Sequence, residues 1–444
     1  MSKLQLADIS LLHKILFPEV EEWLIYAPNY DGALDDQKRL CRSQEELQVR
    51  ELVCDRYVLF NLSDVQVYSS NAVAVVSTGQ KRGAYQLAYL CNADGTVRWL
   101  YPNNDRSAYF LHLYSASGWR GTLLKQGLKW GHGLGLGPWL RHGSLSISIP
   151  SGKWTPSHLV PPTYSFAIFT GTKGGNRKAV IAAGKGKRPD FFLKVPLTCA
   201  AQKLVRNETV CLLELESLSH QYWVLPRARS IGDSLQLTNV QPEYLHSKTD
   251  LSPLHYDAIN EFWSNSEKQP LASTISYQSL EGSLNTLDVL AGHPDLDAGR
   301  VAAVKKVLLE EWQGLSPYAE WRVSLAHGDF TPWNMYTTDS RLHVFDWELA
   351  RYEPLGYDLF HFVLQSGCLI HRSSASQILD RVEEVCSHPI WQAFPSCDPH
   401  QYWRYYLLRH IAYYLPRYLQ QAELHEQVRW QLNLWHDLLA TAKV

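Results

Sequence analysis

The sequence predicts an α+β fold in which a mixed α/β domain precedes a small β-rich lobe and a larger α-rich lobe. Three observations lead to this prediction. Short β-prone runs occur at residues 72–101 and again from about 164 to 195. Apolar residues at helical spacing dominate beyond about residue 245. The 444 residues also give room for about three folding units of roughly 150 residues each.

The N-terminal domain is predicted over residues 1–155. Its first 65 or so residues are expected to be mainly helical, with one apolar stripe near i, i+4 spacing formed by Leu11, Leu12, Ile15 and Leu16. Three β-prone runs follow at residues 72–77, 85–90 and 96–101, and Asn-Ala-Asp-Gly at 92–95 predicts a hairpin turn. The sequence assigns no role to this accessory domain.

The small lobe is predicted over residues 160–228 and the larger lobe over residues 229–444. Three β-prone runs, a helix and a short strand fill the small lobe, at residues 164–170, 178–183, 191–195, 200–215 and 222–225. The larger lobe is helical apart from one short strand near residue 342. Two of its helices have one apolar face each, formed by Val301, Val304 and Leu308 and by Val428, Leu432, Trp435 and Leu439.

Composition argues against several classes of protein. Lys and Arg total 42 against 44 for Asp and Glu, a net charge of −2, which argues against a nucleic-acid binder or a polybasic membrane-surface protein. No apolar window approaches 18 residues and residues 1–18 lack a signal-peptide pattern, so we expect no membrane span and a cytoplasmic location. The 16 Trp and 24 Tyr suit a ring-stacking pocket or a large core, and both interpretations stay open.

One motif carries the chemistry. Residues 327–334 are His-Gly-Asp-Phe-Thr-Pro-Trp-Asn, and Asp346 follows in Phe-Asp-Trp-Glu at the end of a predicted strand. A solvent-facing carboxylate such as Asp329 can accept a proton from an attacking hydroxyl. The Asn334 amide oxygen and the Asp346 carboxylate form a hard oxygen pair that suits Mg²⁺. This combination indicates a phosphoryl-transfer site, where catalysis is mainly positioning and charge neutralisation.

The pattern H-G-D-x-x-x-x-N followed by F-D-W-E resembles the aminoglycoside phosphotransferase and choline kinase family, the small-molecule kinases of the protein-kinase-like fold. The resemblance implies a protein-kinase-like two-lobe fold for the part of the chain after the N-terminal domain. It further implies that Asp329 is the catalytic base and that Asn334 and Asp346 bind the metal. His327, and Asp358 in Pro-Leu-Gly-Tyr-Asp-Leu, are implied as structural support for the catalytic loop.

The resemblance also implies a phosphate-covering loop in the small lobe. The turn at residues 170–177 carries Gly171, Gly174 and Gly175 between two β-prone runs. Glycines let backbone N–H groups approach a phosphate closely, although a plain hairpin turn uses the same residues. No P-loop pattern G-x-x-x-x-G-K-[S/T] is present, so a P-loop enzyme is not predicted.

A lysine and a glutamate of the small lobe complete the predicted nucleotide site. Lys194 interrupts an apolar strand, where it is expected to hold the α- and β-phosphates, although a strand-edge lysine facing solvent is the alternative. Glu208 on the following helix is the preferred partner of Lys194, with Glu214 and Glu216 as alternatives.

The predicted function is ATP- and Mg²⁺-dependent transfer of the γ-phosphate to a hydroxyl of a small molecule: a sugar, an amino alcohol or an aminoglycoside-like compound. A non-catalytic kinase-like module that binds nucleotide or protein is the alternative. A third hypothesis makes the N-terminal domain a sugar- or protein-recognition module that regulates the kinase-like half. A homodimer or a protein partner through this domain is a further expectation. A metal hydrolase that uses His327, Asp329 and Asp346 is the chemical rival. No nucleic-acid partner is expected.

Aromatic and histidine residues of the larger lobe leave a choice open. His361 and His410 lie in predicted aromatic-rich helices, where core histidines are the commoner case. A group of aromatic residues either lines an acceptor pocket or packs the helical core; its members are Tyr402, Trp403, Tyr405, Tyr406, Tyr413 and Tyr414.

Overall fold

A computed structural model gives the fold of the chain. It describes residues 6–28, 39–51, 54, 56–63, 67, 72–79, 84–114, 118–149, 160–243, 249–290, 292–421, 424 and 426–441. The predicted domain boundary near residues 155–160 falls almost entirely outside the described residues.

The helices and strands are numbered in chain order over the described residues. The helices are α1 (Leu6–Leu16), α2 (Gln44–Glu51), α3 (Gly118–Gly133), α4 (Gly137–Leu140), α5 (Cys199–Glu216), α6 (Pro253–Trp263), α7 (Ile275–Val289), α8 (Ala298–Gly314), α9 (Tyr357–Ser366), α10 (Ala375–Cys386), α11 (Pro399–Leu419) and α12 (Glu426–Thr441). The strands in the N-terminal half are β1 (Glu22–Tyr26), β2 (Leu40–Cys41), β3 (Tyr57–Asn61), β4 (Ala72–Thr78), β5 (Tyr85–Cys91), β6 (Val97–Pro102), β7 (Gly143–Ser148), β8 (Ser165–Phe169), β9 (Lys178–Gly184) and β10 (Phe191–Pro196). The later strands are β11 (Trp223–Val224), β12 (Ala228–Ile231), β13 (Ser234–Thr238), β14 (Glu267–Pro270), β15 (Glu320–Ala326), β16 (Met335–Thr337), β17 (Leu342–Val344) and β18 (Arg351–Pro354).

The first compact unit comprises residues 1–209 and 227–239 and is built on one sheet. The strand order is β12-β13-β10-β9-β8-β6-β5-β7-β4-β3-β1-β2. Strand β6 pairs antiparallel with β8, with Trp99 opposite Phe169 and Leu100 opposite Ile168. This pairing joins the strands of the predicted N-terminal domain to those of the predicted small lobe in a single sheet.

The structure therefore groups the chain differently from the three predicted domains. The edge-to-edge pairing of β6 with β8 places residues 1–155 and the small lobe in one unit. Strands β12 and β13 also belong to this unit, because β13 pairs with β10, whereas the prediction ended the small lobe at residue 228. The accessory role of residues 1–155 stays a prediction.

The second compact unit comprises residues 210–226 and 240–444 and is mainly helical. Two three-stranded sheets lie within it, in the orders β11-β17-β16 and β14-β15-β18. The apolar faces predicted for α8 and α12 are buried as expected: Val301, Val304, Leu308, Val428, Leu432, Trp435 and Leu439. Asp297 is the N-cap residue of helix α8, and its carboxylate accepts the Arg300 N–H at 2.7 Å, which satisfies a free amide of the first turn.

The predicted α+β class is confirmed, because strands dominate the first unit and helices the second. The apolar stripe of α1 is also buried in the first unit, through Leu11, Leu12, Ile15 and Leu16. Among the helices that the structure describes, none has both the length and the hydrophobicity needed to span a membrane.

Candidate active site

The catalytic loop of the second unit runs from the end of β15 to the start of β16, through residues 327–334. Gly328 has a φ of +83°, and a Cβ at this position would lie 2.2 Å from the carbonyl oxygen of Leu349. Only glycine fits such a close approach in the left-handed region. The glycine in His-Gly-Asp is therefore a packing requirement of this loop, whereas the protein-kinase pattern has arginine at that position.

The side chain of Asp358 is hydrogen-bonded to the backbone at the start of the loop. Its buried carboxylate accepts the backbone N–H groups of His327 at 2.7 Å and of Gly328 at 3.0 Å. Burial raises the pKa of the Asp358 carboxyl, although these two hydrogen bonds act in the opposite direction. Asp358 therefore contacts the backbone at the start of this loop, and its role as structural support stays a prediction.

His327 connects the loop to the strand that follows. Its Nδ1 accepts the backbone N–H of Asp329 at 3.2 Å, so its Nε2 carries the proton and donates to the Phe345 carbonyl at 3.0 Å. The imidazole thus holds Asp329 beside the residue that precedes Asp346. Because His327 is fully buried and uses both ring nitrogens, it supports the loop and contributes no reactive group.

The Asp329 carboxylate is held at both oxygens. Oδ2 accepts the Asn334 Nδ2–H at 2.8 Å, and Oδ1 accepts the His361 Nε2–H at 3.1 Å. Burial alone would raise the pKa of Asp329, but the hydrogen bond and charge of His361 outweigh it, so the pKa is lowered. With 29% of the side chain exposed, this carboxylate stays ionised, oriented and reachable by a substrate.

Three oxygen-bearing side chains of the second unit have the chemistry that a divalent cation needs. The Asn334 amide nitrogen donates to Asp329, which leaves the Asn334 Oδ1 as the ligand atom. The Phe345 N–H donates to the Asn334 carbonyl at 3.0 Å, so Asn334 and Asp346 leave the β16–β17 hairpin at the same end. Asp346 adopts a left-handed φ of 69°, and its carboxylate lies within 4.8 Å of that of Glu348. Two carboxylates and an amide oxygen fit the hard-oxygen preference of Mg²⁺.

Glu348 is a functional candidate that the sequence prediction missed. It stands two residues after Asp346 in Phe-Asp-Trp-Glu, and its acidic side chain is half-buried. The intervening Trp347 is fully buried, and the single helical turn at Trp347–Leu349 brings the two carboxylates to the same side. In the sequence, the spacing D-x-E at the end of a predicted strand indicates Glu348 as a second carboxylate beside Asp346.

A buried hydrogen-bonded chain extends behind Asp329. The His361 Nδ1 lies 3.1 Å from the Tyr406 hydroxyl, which lies 3.3 Å from the His410 Nδ1. All three side chains are almost fully buried. Burial raises the pKa of Tyr406 and lowers that of His410, so the phenol keeps its proton and His410 stays neutral.

The sequence prediction treated His361 and His410 as core residues, and only their burial agrees with that. His361 follows Asp358 by three residues on α9, so the two side chains lie on the same face of the helix. Asp358 accepts a hydrogen bond from the backbone of the catalytic loop, and His361 donates one to the Asp329 carboxylate. The i, i+3 spacing from a predicted supporting aspartate was the signal for this role.

The first unit contains the predicted lysine–glutamate pair. The Lys194 Nζ on β10 lies 2.5 Å from the Glu208 Oε2 on α5, and both side chains are buried. The alternatives Glu214 and Glu216 are exposed at the end of the same helix. Since an ammonium group in an apolar strand needs a carboxylate nearby, the pair fixes the position of the Lys194 charge.

The glycine turn connects β8 to β9 as a hairpin. Gly171 has a φ of +81°, and a Cβ there would lie 2.2 Å from the Lys178 carbonyl oxygen, which accounts for this glycine structurally. Gly174 also has a positive φ, whereas a Cβ at Gly175 would meet open space. Lys173 of the same turn forms a 2.6 Å ion pair with Asp94, which tethers the turn to the β5–β6 hairpin. A phosphate-binding role for these glycines stays a prediction.

Comparison with known proteins supports the family that the motif indicated. Residues 280–400 match the model of the phosphotransferase enzyme family, and this segment contains the whole catalytic loop and Asp358. The family predicted from the motif is thus the family whose model matches this part of the chain. A search of curated proteins finds no match.

Solved structures with a similar fold include three kinases of small molecules. The GDP complex of aminoglycoside 2'-phosphotransferase-IIIa is 17% identical to this chain and has a TM-score of 0.40, and the aligned part covers 61% of this chain and 92% of that enzyme. Choline kinase LicA from Streptococcus pneumoniae is 12% identical, with coverage of 62% and 93% and a TM-score of 0.39. The streptomycin–ATP complex of APH(2")-IIa is 13% identical, with coverage of 60% and 91% and a TM-score of 0.38.

Proposed function

We propose that the protein transfers the γ-phosphate of ATP to a hydroxyl group of a small molecule. The observation that carries this proposal is the Asp329 carboxylate, which is held at both oxygens, kept ionised and still partly exposed. A general base needs these properties, because it must be deprotonated and aligned before the acceptor hydroxyl arrives. The family match over residues 280–400 supports phosphotransfer as the class of reaction.

Asp329 acts on the acceptor in this reaction. Its carboxylate accepts the hydroxyl proton while the acceptor oxygen forms a bond to the γ-phosphorus. The bond from the γ-phosphorus to the β,γ-bridging oxygen breaks, and ADP leaves with that electron pair. Asn334 and His361 keep the carboxylate in one orientation throughout, so the geometry needs no rearrangement at the moment of transfer.

The phosphates of the nucleotide are assigned to Lys194 and to a divalent cation. The buried pair with Glu208 restrains the Lys194 ammonium, which would contact the α- and β-phosphates. Asn334 and Asp346, with Glu348 as a further ligand, would hold Mg²⁺. A bound Mg²⁺ supplies neutralisation of the charge on the phosphate oxygens.

The acceptor is proposed to be a hydroxylated compound that stacks on an aromatic ring. Tyr402, Trp403, Tyr405 and Tyr406 are buried in the second unit, so these four pack the core and do not line an open acceptor surface. Tyr413 and Tyr414 are half-buried, and an acceptor role for these two stays a prediction. Trp333 differs from them, because it belongs to the catalytic loop itself and is 41% exposed. An exposed indole four residues after the base offers a face for a sugar ring or a cationic amino group.

A screen for ADP release tests the proposal. Purified protein, ATP and Mg²⁺ are incubated with a panel of sugars, amino alcohols and aminoglycosides, and ADP is measured against a control without acceptor. We expect acceptor-dependent ADP release for one class of the panel. Calorimetric nucleotide binding with no ADP release for any acceptor would instead support the non-catalytic module.

A further inference from the structure

A buried arginine of helix α11 lacks an anionic partner among the residues that the structure describes. Arg409 is 1% exposed, and its Nη2 donates to the Ser279 hydroxyl on helix α7 at 3.0 Å. Its Nε and Nη1 are also buried, and neither has a hydrogen-bond partner in the described part of the chain. A buried charge is normally paired, so this guanidinium leaves positive charge in the second unit that needs an anion.

A buried carboxylate, that of Glu353, contacts the same helix α7, but both of its oxygens are already used. Oε1 pairs with the Arg351 Nε, and Oε2 accepts the hydroxyl of Ser276. Ser276 precedes Ser279 by three residues on α7, a separation at which Cβ atoms lie about 5–6 Å apart. Arg351, Glu353 and Arg409 therefore form one arginine cluster, which has two positive charges against one negative charge.

Arg351 connects the arginine cluster to solvent and to the catalytic loop. Its side chain is 19% exposed. Its Nη1 donates at 3.4 Å to the Leu349 carbonyl, the oxygen that Gly328 approaches closely, and its Nη2 donates to the Tyr357 hydroxyl at 3.2 Å. Within the described residues, these contacts and the pair with Glu353 use three of the five N–H groups of a guanidinium. The other two can bind a ligand.

A second series of contacts leads from Arg351 to the Asp329 carboxylate. The Tyr357 ring is nearly parallel to that of His361, with the ring centres 6.0 Å apart. His361 in turn donates to the Asp329 Oδ1 at 3.1 Å. Arg351 is thus separated from the base by only two side chains, so one small molecule can contact both.

We propose that the acceptor carries an anionic group, a carboxylate or a phosphate, which binds to Arg351 while its hydroxyl lies at Asp329. Both groups match the planar fork of a guanidinium. The unbalanced charge of Arg409 attracts the same group from the interior, because charges act over several ångströms where water is excluded. Sugar acids, sugar phosphates and hydroxy amino acids have this chemistry, whereas a polycationic aminoglycoside would meet like charge. The inference rests on the proposed phosphotransfer for the hydroxyl, but not for the binding of the anion.

Matched pairs of compounds test this acceptor class. The pairs are gluconate and glucitol, glucose 6-phosphate and glucose, and serine and ethanolamine, which differ mainly in the anionic group. ADP release with ATP and Mg²⁺ measures turnover, and calorimetry on the full chain without ATP measures binding. We expect an anionic compound to bind, to be released as salt rises, and to have a kcat/KM at least about tenfold above that of its partner.

Arg409→Met separates the charge of Arg409 from its packing. An apolar side chain replaces an unpaired buried cation, so the melting temperature should be unchanged or higher, although the KM and Kd of the anionic compound should rise about tenfold. The kcat and the KM for ATP should stay close to wild type. Arg404→Gln is the matched control, because it removes one positive charge from the exposed side of α11, where Arg404 pairs with Glu311, and should change neither constant.

The two assays keep this inference apart from the proposed function. Turnover of the uncharged or cationic members alone would overturn the anionic acceptor and leave phosphotransfer intact. Anion binding that Arg409→Met weakens, without ADP release from any compound, would support the anion site and count against phosphotransfer. No binding of any anionic compound, or equal binding by the wild type and a folded Arg409→Met, would overturn the inference.

Discussion

Replacing His361 tests whether the buried chain behind Asp329 orients the base. His361→Leu removes the donor to the Asp329 Oδ1 and the ring contact with Tyr406. A hydrogen bond to a charged group contributes about 1.5–3 kcal/mol, and about 1.4 kcal/mol corresponds to tenfold in rate. If the transition state needs the oriented carboxylate, kcat falls about ten- to one-hundred-fold while KM for ATP stays close to the wild-type value.

The pH dependence gives a second readout of the same variant. In the wild type the His361 contact helps to lower the pKa of Asp329 against the effect of burial. Removing His361 leaves burial in place, so the pKa of Asp329 rises and the base is protonated at higher pH. The acid limb of kcat/KM is therefore expected to move to higher pH in His361→Leu. Activity from the ionised base is present above that limb and lost below it.

His361→Gln is the matched control. A glutamine amide has a donor and an acceptor spaced like the two imidazole nitrogens, so it can donate to Asp329 and accept from Tyr406. It should recover most of the kcat and return the acid limb towards the wild-type position. Melting temperatures separate these effects from misfolding. A stable His361→Leu variant with wild-type kcat and pH profile would refute the positioning role.

Three further predictions concern other residues of the two units. Asp358→Asn replaces one carboxylate oxygen with an amide NH₂ that faces a backbone N–H, so it should reduce kcat and lower the free energy of unfolding, measured in urea, by about 1–3 kcal/mol. Unchanged stability would contradict the role of Asp358 in holding the loop. Glu208→Ala removes the ion-pair partner of buried Lys194, so it should lower the free energy of unfolding by about 3–5 kcal/mol and weaken ATP binding, and Glu208→Gln should bind ATP more tightly than Glu208→Ala. An equal ATP Kd in all three forms would contradict a role of this ion pair in ATP binding. Trp333→Ala should raise KM for the acceptor with little change in KM for ATP, and an unaltered acceptor KM would exclude the stacking role.

The catalytic loop could be predicted from the sequence because its residues are close together in the chain. His327, Asp329 and Asn334 form one short segment, and Asp346 follows at the end of the next hairpin. Lys194 could be found for a related reason, since a charged residue in an apolar strand is locally conspicuous. Apolar stripes at helical spacing likewise indicated the buried faces of α1, α8 and α12.

Two local expectations were wrong: the first 65 residues contain β1, β2 and β3 and are not mainly helical, and residues 229–444 contain several strands besides the one near residue 342. The other parts that were not predicted depend on residues far apart in sequence. The pairing of β6 with β8 joins the N-terminal strands to the small lobe, and no local pattern specifies which strand edges meet. Strands β12 and β13 return to β10 after a long helix, which moved the predicted boundary at residue 228. The contact of His361 with Asp329 is also long-range. In the sequence of an aromatic-rich helix, a histidine that packs in the core cannot be distinguished from one that positions a catalytic carboxylate.

The rate of Asp329→Asn measured beside its nucleotide affinity tests phosphotransfer most directly. The amide has the size of the carboxylate but cannot accept the hydroxyl proton, and Asn334 and His361 remain beside it. With an acceptor found in the screen, we expect equal amounts of ADP and phosphorylated acceptor from the wild type. The variant should have an ATP Kd close to that of the wild type and a kcat lower by about 10²–10⁴. A variant that turns over at the wild-type rate would contradict the assignment of Asp329 as the base.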